Sequence, residues 1–435
     1  MMTRRNMLAT FGCGFGAMGF RAMAAPHHAP KAKHVIYLFL NGGASQVDTF
    51  DPKPMLTKYH GKPLPTSNLK TERRTGSALG SPFEFKKYGQ SGIEVSEIFA
   101  KTGALIDDFC VIRSMHTERP NHEPSLFMLN CGTVLPGRPS MGSWLTYGLG
   151  TENRNLPGYV VMCPGAPVIG PQLWSSAFLP AEYQGVHLPN NETEIDKLVP
   201  FIHGTRGLEE QRRQLDLLAK LNKDDQGIRA METAFRMQTE APEVLDIKNR
   251  VTEAERARYG DTDFGRGCIM ARRLVEKGVR MVQIYYGNGQ PWDNHDDIMV
   301  HKRLAAGADP AIAALITDLK ASGLLKDTIV IVGGEFGRTP TVETSGLVPV
   351  QFGRDHNNHG FSLIMAGGGV KGGMTYGATD EFGFKAVEKP VHPHDIQATV
   401  LHLMGLDHTR LTYRYSGRDF RLTDVEGSVL HDIIA

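Results

Sequence analysis

His34-Val35-Ile36-Tyr37-Leu38-Phe39-Leu40 is the stretch that decides the fold class. Aliphatic, β-branched and aromatic residues follow one another here without alternating with polar ones. Such a run is typical of a strand that is buried on both faces of a parallel sheet. Asn41-Gly42-Gly43 comes next, and its two glycines predict a sharp turn where the strand ends.

Comparable apolar runs recur along the chain, and helical stretches lie between them. Residues 266–277 form a predicted helix before one run, and residues 310–322 form another. This alternation predicts an α/β fold with a doubly wound, mostly parallel central sheet flanked by helices. The other predicted strands are residues 109–113, 159–162, 281–286, 328–332 and 362–365. We expect one domain over residues 34–435, with a helical insertion at about residues 205–260.

The N-terminus has the features of an export signal. Arg4-Arg5 precedes the apolar, glycine-rich residues 7–20, and Ala22-Met23-Ala24 supplies small residues for cleavage. These features predict a signal peptide over residues 1–25. The arginine pair favours the twin-arginine export machinery as a partner, with an ordinary secretory signal as the alternative. The expected location is the periplasm or the cell surface.

Composition excludes several classes of partner. The net charge of +1 over 435 residues provides no general attraction to nucleic acid or to an anionic membrane. No second apolar run reaches the ~20 residues of a membrane-spanning helix, so we expect no transmembrane segment in the mature chain. Four cysteines follow the signal without zinc-like spacing. Buried free thiols are the favoured interpretation, with one disulfide bridge in an oxidising compartment as the alternative. They are Cys110, Cys131, Cys163 and Cys268.

Polar clusters follow several of the predicted strands. Ligands of doubly wound sheets bind at the carboxyl ends of the strands, so these clusters are the candidate site. Asp293 and His295 follow one strand, and Glu335 follows another. Asp355, His356 and His359 lie just before a third. Imidazole together with carboxylate suits a divalent transition metal, namely Zn, Mn or Fe. The alternatives are a capping aspartate in a turn and a structural salt bridge.

Two further residues are candidates for chemistry. Arg338, in Gly334-Glu335-Phe336-Gly337-Arg338, can grip an anionic oxygen with two parallel hydrogen bonds. His122 precedes a predicted helix, whose N-terminus is favourable for an anionic substrate. Thr117 and Ser125 are nearby hydroxyls, but neither has the surroundings of an activated nucleophile.

These segments resemble the DUF1501 family. The similar motifs are Asn41 to Lys53, Trp292-Asp293-Asn294-His295, Gly334 to Pro340, Gly353-Arg354-Asp355-His356, and the ending from His394 to Asp424. The long form is similar to planctomycete members. The resemblance implies the fold of the alkaline-phosphatase and sulfatase superfamily, whose members act on phosphate and sulfate esters with one or two metal ions.

The resemblance also places residues, with departures from the superfamily pattern. Asn41 stands where a metal-binding aspartate is usual, with Asp48 as the nearest carboxylate, and His122 stands at the nucleophile position. His359 is similar to a late metal histidine of the superfamily. Asp293 and His295 are similar to an earlier ligand pair.

The sequence therefore predicts an exported metal-dependent hydrolase of phosphate or sulfate esters, on a small-molecule or glycan substrate. Arg338 would hold the anion, and His122 would act as base for attack by water. The alternative is a non-catalytic envelope binding protein on a degenerate sulfatase-like fold. A redox enzyme is disfavoured because no cofactor-binding motif is present. The predicted metal ligands are Asp48, Asp293, His295, Glu335, Asp355, His356 and His359.

Overall fold

The computed structural model describes residues 26–199, 202, 206–221, 226–344 and 352–435. The predicted signal peptide, residues 1–25, lies outside the described residues. The strands are β1 (His34–Phe39), β2 (Thr75–Ala78), β3 (Phe85–Tyr88), β4 (Ile93–Ser96), β5 (Phe109–Met115), β6 (Tyr159–Met162), β7 (Val186–Leu188), β8 (Met281–Tyr285), β9 (Thr328–Gly333), β10 (Gly337–Glu343), β11 (Arg354–Asn357), β12 (Phe361–Ala366), β13 (Met374–Tyr376), β14 (Ala378–Thr379), β15 (Ala386–Glu388), β16 (Tyr413–Tyr415) and β17 (Arg418–Phe420).

Helices alternate with these strands through most of the chain. They are α1 (Pro54–Tyr59), α2 (Ala100–Gly103), α3 (His122–Cys131), α4 (Met141–Leu149), α5 (Ile195–Leu198), α6 (Leu208–Leu221), α7 (Gln226–Leu245), α8 (Ile247–Arg250), α9 (Glu253–Tyr259), α10 (Asp263–Glu276), α11 (Val300–Ala321) and α12 (Pro393–Leu403).

Strand β1 lies inside an eight-stranded sheet with the order β13-β5-β12-β9-β1-β8-β6-β7. It pairs in parallel with β8 on one side and with β9 on the other. Strand β12 alone runs antiparallel to both of its neighbours, β5 and β9. The predicted α/β fold with a mostly parallel sheet is confirmed.

The reversal of β12 decides where its flanking residues lie. Because β12 runs opposite to β9, its first residues lie at the edge where β9, β1 and β8 end. The polar residues that precede Phe361 are thereby brought to the edge that carries the residues after β8 and β9.

Side chains of β1 alternate between two hydrophobic layers. Ile36 and Leu38 pack on one face of the sheet, together with residues of α10 and α11. Val35 and Phe39 pack on the other face, together with residues of α3, α4 and α12. Both faces of the central strands are therefore covered, which is why their sequences are continuously apolar.

Helix α11 begins ten residues before the predicted helix 310–322. Its first residue is Val300, and Pro310 lies inside it. A proline removes one backbone hydrogen bond from a helix interior. Here apolar residues are buried on both sides of the proline, among them Ala305, Ala308 and Ile312. Packing against the sheet therefore outweighs the lost bond.

The predicted insertion contains α6 to α9. Helix α6 exposes most of its side chains, with Leu215 buried, while α7 contacts α10 of the main domain. Cys110, Cys131, Cys163 and Cys268 are buried and unbridged. Among the described residues, no helix combines the length and the apolar character that crossing a bilayer requires.

A smaller sheet stands at the carboxyl edge of the large one. Its order is β11-β10-β2. Strand β10 begins at Gly337, four residues after β9 ends, and Arg338 pairs with His356 of β11. This sheet carries part of the candidate site.

Candidate metal centre

Four side chains converge at the carboxyl edge of the sheet. The Asp293 carboxylate lies at the middle, with Oδ1 2.8 Å from His295 Nε2 and 3.0 Å from His356 Nε2. Its Oδ2 lies 3.3 Å from His122 Nε2. The Nε2 atoms of His295 and His356 are 3.0 Å apart. Three imidazoles thus present the same ring nitrogen to one carboxylate.

The opposite nitrogen of each imidazole contacts another carboxylate. His122 Nδ1 lies 2.8 Å from Glu335 Oε1, and His295 Nδ1 contacts Glu343. His356 Nδ1 lies 2.5 Å from Glu72 Oε2 and 2.7 Å from the Pro120 carbonyl. Metal-bound histidines typically donate their second N–H to a carboxylate or carbonyl, which fixes the tautomer and the ring orientation.

The elements explain why these residues meet. Asp293 and His295 lie in the loop after β8, and Glu335 lies two residues after β9. His122 is the first residue of α3, which packs on the face of the sheet below this edge. His356 lies on β11, beside the strand that continues from β9.

Asn41 organises the loop after β8. Its side-chain amide donates to the carbonyls of Gly287 (3.0 Å) and Gly289 (2.5 Å), and its Oδ1 accepts from Tyr286 N (2.9 Å). An aspartate has no N–H to donate to these carbonyls. The asparagine at this position therefore shapes the loop that carries Asp293.

Gly42 and Gly43 permit the close approach of three strand ends. Gly42 has φ +110°, and a Cβ there would lie 2.5 Å from Asp293 N. Its N–H donates to Glu335 Oε1 at 2.9 Å. The turn after β1 thus fixes both Asp293 and Glu335.

Arg338 is fully buried and is bonded within the protein. Its Nε donates to the Gly43 carbonyl at 2.9 Å, and one terminal nitrogen donates to Asp293 Oδ1 at 2.7 Å. The carbonyls of Gly42, Trp292 and Arg354 are further acceptors. The predicted role of Arg338 in holding a substrate anion does not fit this burial, and its guanidinium instead holds Asp293 in place.

Protonation follows from these contacts. Burial alone would lower the pKa of His122, but the neighbouring carboxylates of Asp293 and Glu335 outweigh it and raise the pKa to about 9. Burial likewise opposes ionisation of Asp293, yet the three histidines and Arg338 hold its pKa well below the usual range. The bond to His356 lowers the pKa of Glu72.

Not every predicted ligand joins this cluster. Asp48 is buried in an ion pair with Arg354, with Oδ2 2.8 Å from Arg354 Nε. His359 Nε2 lies 2.9 Å from the Lys70 carbonyl. Neither belongs to a group of described residues that could share a cation. Asp48 instead pairs with Arg354 of β11, and His359 contacts the Lys70 carbonyl rather than the cluster.

Asp355 and Glu335 border the cluster. Asp355 lies near Glu72 and His356 on one side and near His295 and Glu343 on the other. Its Oδ2 accepts from Arg73 N at 2.7 Å. Glu335 contacts His122 and the Gly42 amide. Both carboxylates therefore lie next to histidines of the cluster and are not among the four converging side chains.

The residues present fit a bound transition metal. His122 Nε2, Glu335 Oε2 and Asp355 Oδ1 are buried without a hydrogen-bond partner among the described residues. Although His122 Nε2 lies within ion-pair distance of Asp293, it makes no directed hydrogen bond. In a tetrahedral site with bonds of about 2.0–2.1 Å, ligand atoms lie about 3.3–3.4 Å apart, close to the separations observed here. Three imidazoles and one carboxylate suit Zn, Mn or Fe.

Sequence reasoning did not find Glu72, Glu343 or Arg73. Glu72 and Arg73 lie in the charged run Lys70-Thr71-Glu72-Arg73-Arg74, far from any predicted strand end. Glu343 lies at the far end of β10. The available signal was a single acidic residue among basic ones, which is common in solvated loops.

A family model described as "Protein of unknown function (DUF1501)" matches residues 32–434. The chain belongs to the DUF1501 family. No curated protein matches this DUF1501 member in sequence.

Several solved structures are similar to this DUF1501 member at low identity. The lipoteichoic acid synthase LtaP from Listeria monocytogenes has TM-score 0.36 and 9% identity, covering 93% of this chain and 80% of its own. The PsFucS1 sulfatase from Pseudoalteromonas sp. has TM-score 0.37 and 13% identity, covering 93% and 72%. The phosphonate monoester hydrolase SpPMH from Silicibacter pomeroyi has TM-score 0.37 and 14% identity, covering 77% and 71%.

Proposed function

We propose that this protein is a metal-dependent hydrolase of phosphate or sulfate esters. The observation that carries the proposal is the convergence of His122, His295 and His356 on Asp293. The second nitrogen of each imidazole contacts another carboxylate. A transition metal held by these residues would polarise an ester oxygen and lower the pKa of a bound water. His122 serves as a ligand in this proposal rather than as the base.

One side of the cluster is open to solvent. The side chains of Asp293 and His122 are 23% and 13% exposed, whereas His356 is 2% exposed. Structural metal sites are closed by protein ligands, while catalytic sites keep a position for water or substrate. The open side therefore favours a catalytic centre.

The N-terminus of α3 supports an anionic substrate. This ten-residue helix begins at His122, and no described side chain caps it. The first N–H groups of a helix lack partners within the helix and carry partial positive charge. An ester anion at the open side of Asp293 would meet this end of the helix.

Export belongs to the same proposal. It rests on Arg4-Arg5 and on the apolar residues 7–20. The twin-arginine machinery transports folded proteins, so the metal can be loaded before export.

An ester screen tests the function. The protein is loaded with Zn, Mn or Fe and assayed on aryl phosphates, aryl sulfates and phosphorylated or sulfated sugars, beside His295→Gln and His359→Gln. We expect metal-dependent turnover that is lost in His295→Gln and kept in His359→Gln, because His359 lies outside the cluster. No turnover by the fully loaded protein would favour the binding-protein alternative.

A further inference from the structure

Arg73 has a partly exposed cationic side chain beside the candidate metal centre. Its NH1 lies 2.9 Å from Glu343 Oε1, and its side chain is 43% exposed. Glu343 in turn contacts His295, one of the four converging residues. The guanidinium is therefore one carboxylate away from a metal-binding imidazole, yet it faces solvent.

The backbone holds this arginine in place. Arg73 N donates to Asp355 Oδ2 at 2.7 Å, and the preceding Glu72 contacts His356 Nδ1 at 2.5 Å. Two neighbouring residues of one loop thus contact two consecutive residues of β11. The position of Arg73 does not depend on its own side chain.

The charge of Arg73 is paired with that of Glu343. Burial lowers the pKa of Arg73, but pairing with Glu343 outweighs it, and Glu72 and Asp293 raise the pKa further. The pair with Glu343 and the backbone bond to Asp355 place Arg73 beside the residues that flank His295 and His356. Within the described residues, Arg73 Nε and NH2 have no hydrogen-bond partner.

We propose that Arg73 is the residue that binds the anionic oxygens of the substrate ester, in the role that the sequence suggested for Arg338. The two arginines differ in exposure, since Arg338 is fully buried and bonded to carbonyls whereas Arg73 has free donors. A guanidinium with two free nitrogens matches phosphate and sulfate geometry. This inference rests on the proposed function.

The substrate class follows from this arrangement. The scissile group is a monoester with at least two unshared oxygens, one facing the metal centre and one facing Arg73. A neutral carboxylic ester has a single carbonyl oxygen and no charge for Arg73, so it is excluded as the preferred substrate.

The test measures anion binding to the metal-loaded protein by calorimetry, with inorganic phosphate and sulfate as probes. The variants are Arg73→Ala and Arg73→Lys, with Arg74→Ala as the matched control. Arg74 lies in the same loop, and the bond from Thr344 N to its backbone carbonyl (2.8 Å) survives the substitution. Metal content is measured in every sample.

We expect Arg73→Ala to weaken binding of the better anion about ten- to a hundredfold, as expected for loss of hydrogen bonds to a charged group. Arg73→Lys keeps the charge but lacks the planar guanidinium with its parallel N–H donors. Its anion affinity is therefore expected to lie between those of Arg73→Ala and wild type. Arg74→Ala binds within about twofold of wild type, because the Arg74 side chain is exposed and makes no hydrogen bond or ion pair with the cluster among the described residues.

Two outcomes would overturn the inference. One is equal anion affinity in wild type, Arg73→Ala and Arg73→Lys. The other is an equal loss in Arg73→Ala and Arg74→Ala, which would show a general field effect. Failure of the hydrolase proposal is distinguishable, because a wild type that hydrolyses no ester can still bind phosphate or sulfate through Arg73.

Discussion

The Nε2 atoms of His295 and His356 lie 3.0 Å apart, and both lie within 3.0 Å of Asp293 Oδ1. Two imidazole nitrogens at this distance share one proton or one cation, because two lone pairs so close repel each other. The second nitrogens contact Glu343 and Glu72, which favours protons on that side of each ring. The Nε2 atoms that face Asp293 thus lack protons to share with its carboxylate, and a metal ion would stabilise this arrangement.

Metal loading is expected to release a proton from His122. Its pKa of about 9 in the metal-free protein means that the ring is charged at pH 7.5. Binding through Nε2 requires loss of that proton, so about one proton is released per metal ion. Calorimetry in buffers of different ionisation enthalpy measures this number. A His122→Gln variant that releases as many protons as wild type would contradict the assignment.

The same pKa has a consequence for stability in the metal-free protein. The folded pKa lies above the ordinary value of 6.5, so the protonated ring stabilises the fold. This contribution is fully present below pH 6.5 and is lost as the pH rises through about 9.

Protonation of His301 is expected to lower the free energy of unfolding at acid pH. The ring is fully buried, and Nε2 accepts from Ser45 N at 3.1 Å. Burial is the main cause that lowers its pKa to about 3, with Asp48 opposing and Arg338 and Arg354 reinforcing the shift. Its contribution is present above pH 6.5 and is lost as the pH falls towards 3. Between pH 6.5 and 4 this costs roughly 3 kcal/mol of unfolding free energy.

Urea denaturation of wild type and His301→Gln across this pH range measures the effect. Glutamine can accept from Ser45 N but does not titrate. We expect a shallower acid slope in the variant, and parallel curves would exclude His301 as the cause.

Asn41→Asp is expected to destabilise the protein. The aspartate would lose the donors that bond the carbonyls of Gly287 and Gly289, and it would place a buried charge against them. We expect a loss of about 3 kcal/mol or more in unfolding free energy. The matched control is Asn155→Asp, at an exposed position, with an expected change within about 0.5 kcal/mol. Equal stability of Asn41→Asp and wild type would contradict the structural role.

Gly353→Ala is expected to displace the loop that carries His295. A Cβ at residue 353 would lie 1.4 Å from the His295 carbonyl oxygen, so one of the two backbones must move. Overpacking of this kind costs about 1–3 kcal/mol. We also expect metal affinity to fall about tenfold or more, because His295 moves. Gly207→Ala meets nothing within 4 Å and serves as the control in a competition assay with a chromogenic chelator. Unchanged metal affinity in Gly353→Ala would contradict the close contact between residue 353 and the His295 backbone.

The sequence predicts the large sheet because its strands are buried on both faces and are therefore continuously apolar. Asp293, His295 and His356 were found for a related reason, since strand ends of such a sheet meet at one edge. The reversal of β12 could not be predicted from local pattern, yet it brings β11 and His356 to that edge.

The supporting carboxylates were not predictable in the same way. Glu72 reaches His356 from a loop that is separated from it by most of the chain, so no local spacing relates them. Asp48 and His359 lie at positions that suggested ligands, but Arg354 and the Lys70 carbonyl take their polar atoms. The role of Arg338 was not predictable from sequence for the same reason. Exposure decides which arginine can contact a substrate, and residue type alone does not reveal it.

The most direct test of the central claim is the metal content of protein purified without chelators or a histidine tag. Elemental analysis compares wild type, His295→Gln and the control His359→Gln. The account predicts about one equivalent of Zn, Mn or Fe in wild type and in His359→Gln, and a loss of most of it in His295→Gln. Wild type without metal after reconstitution, or loss from His359→Gln alone, would contradict it.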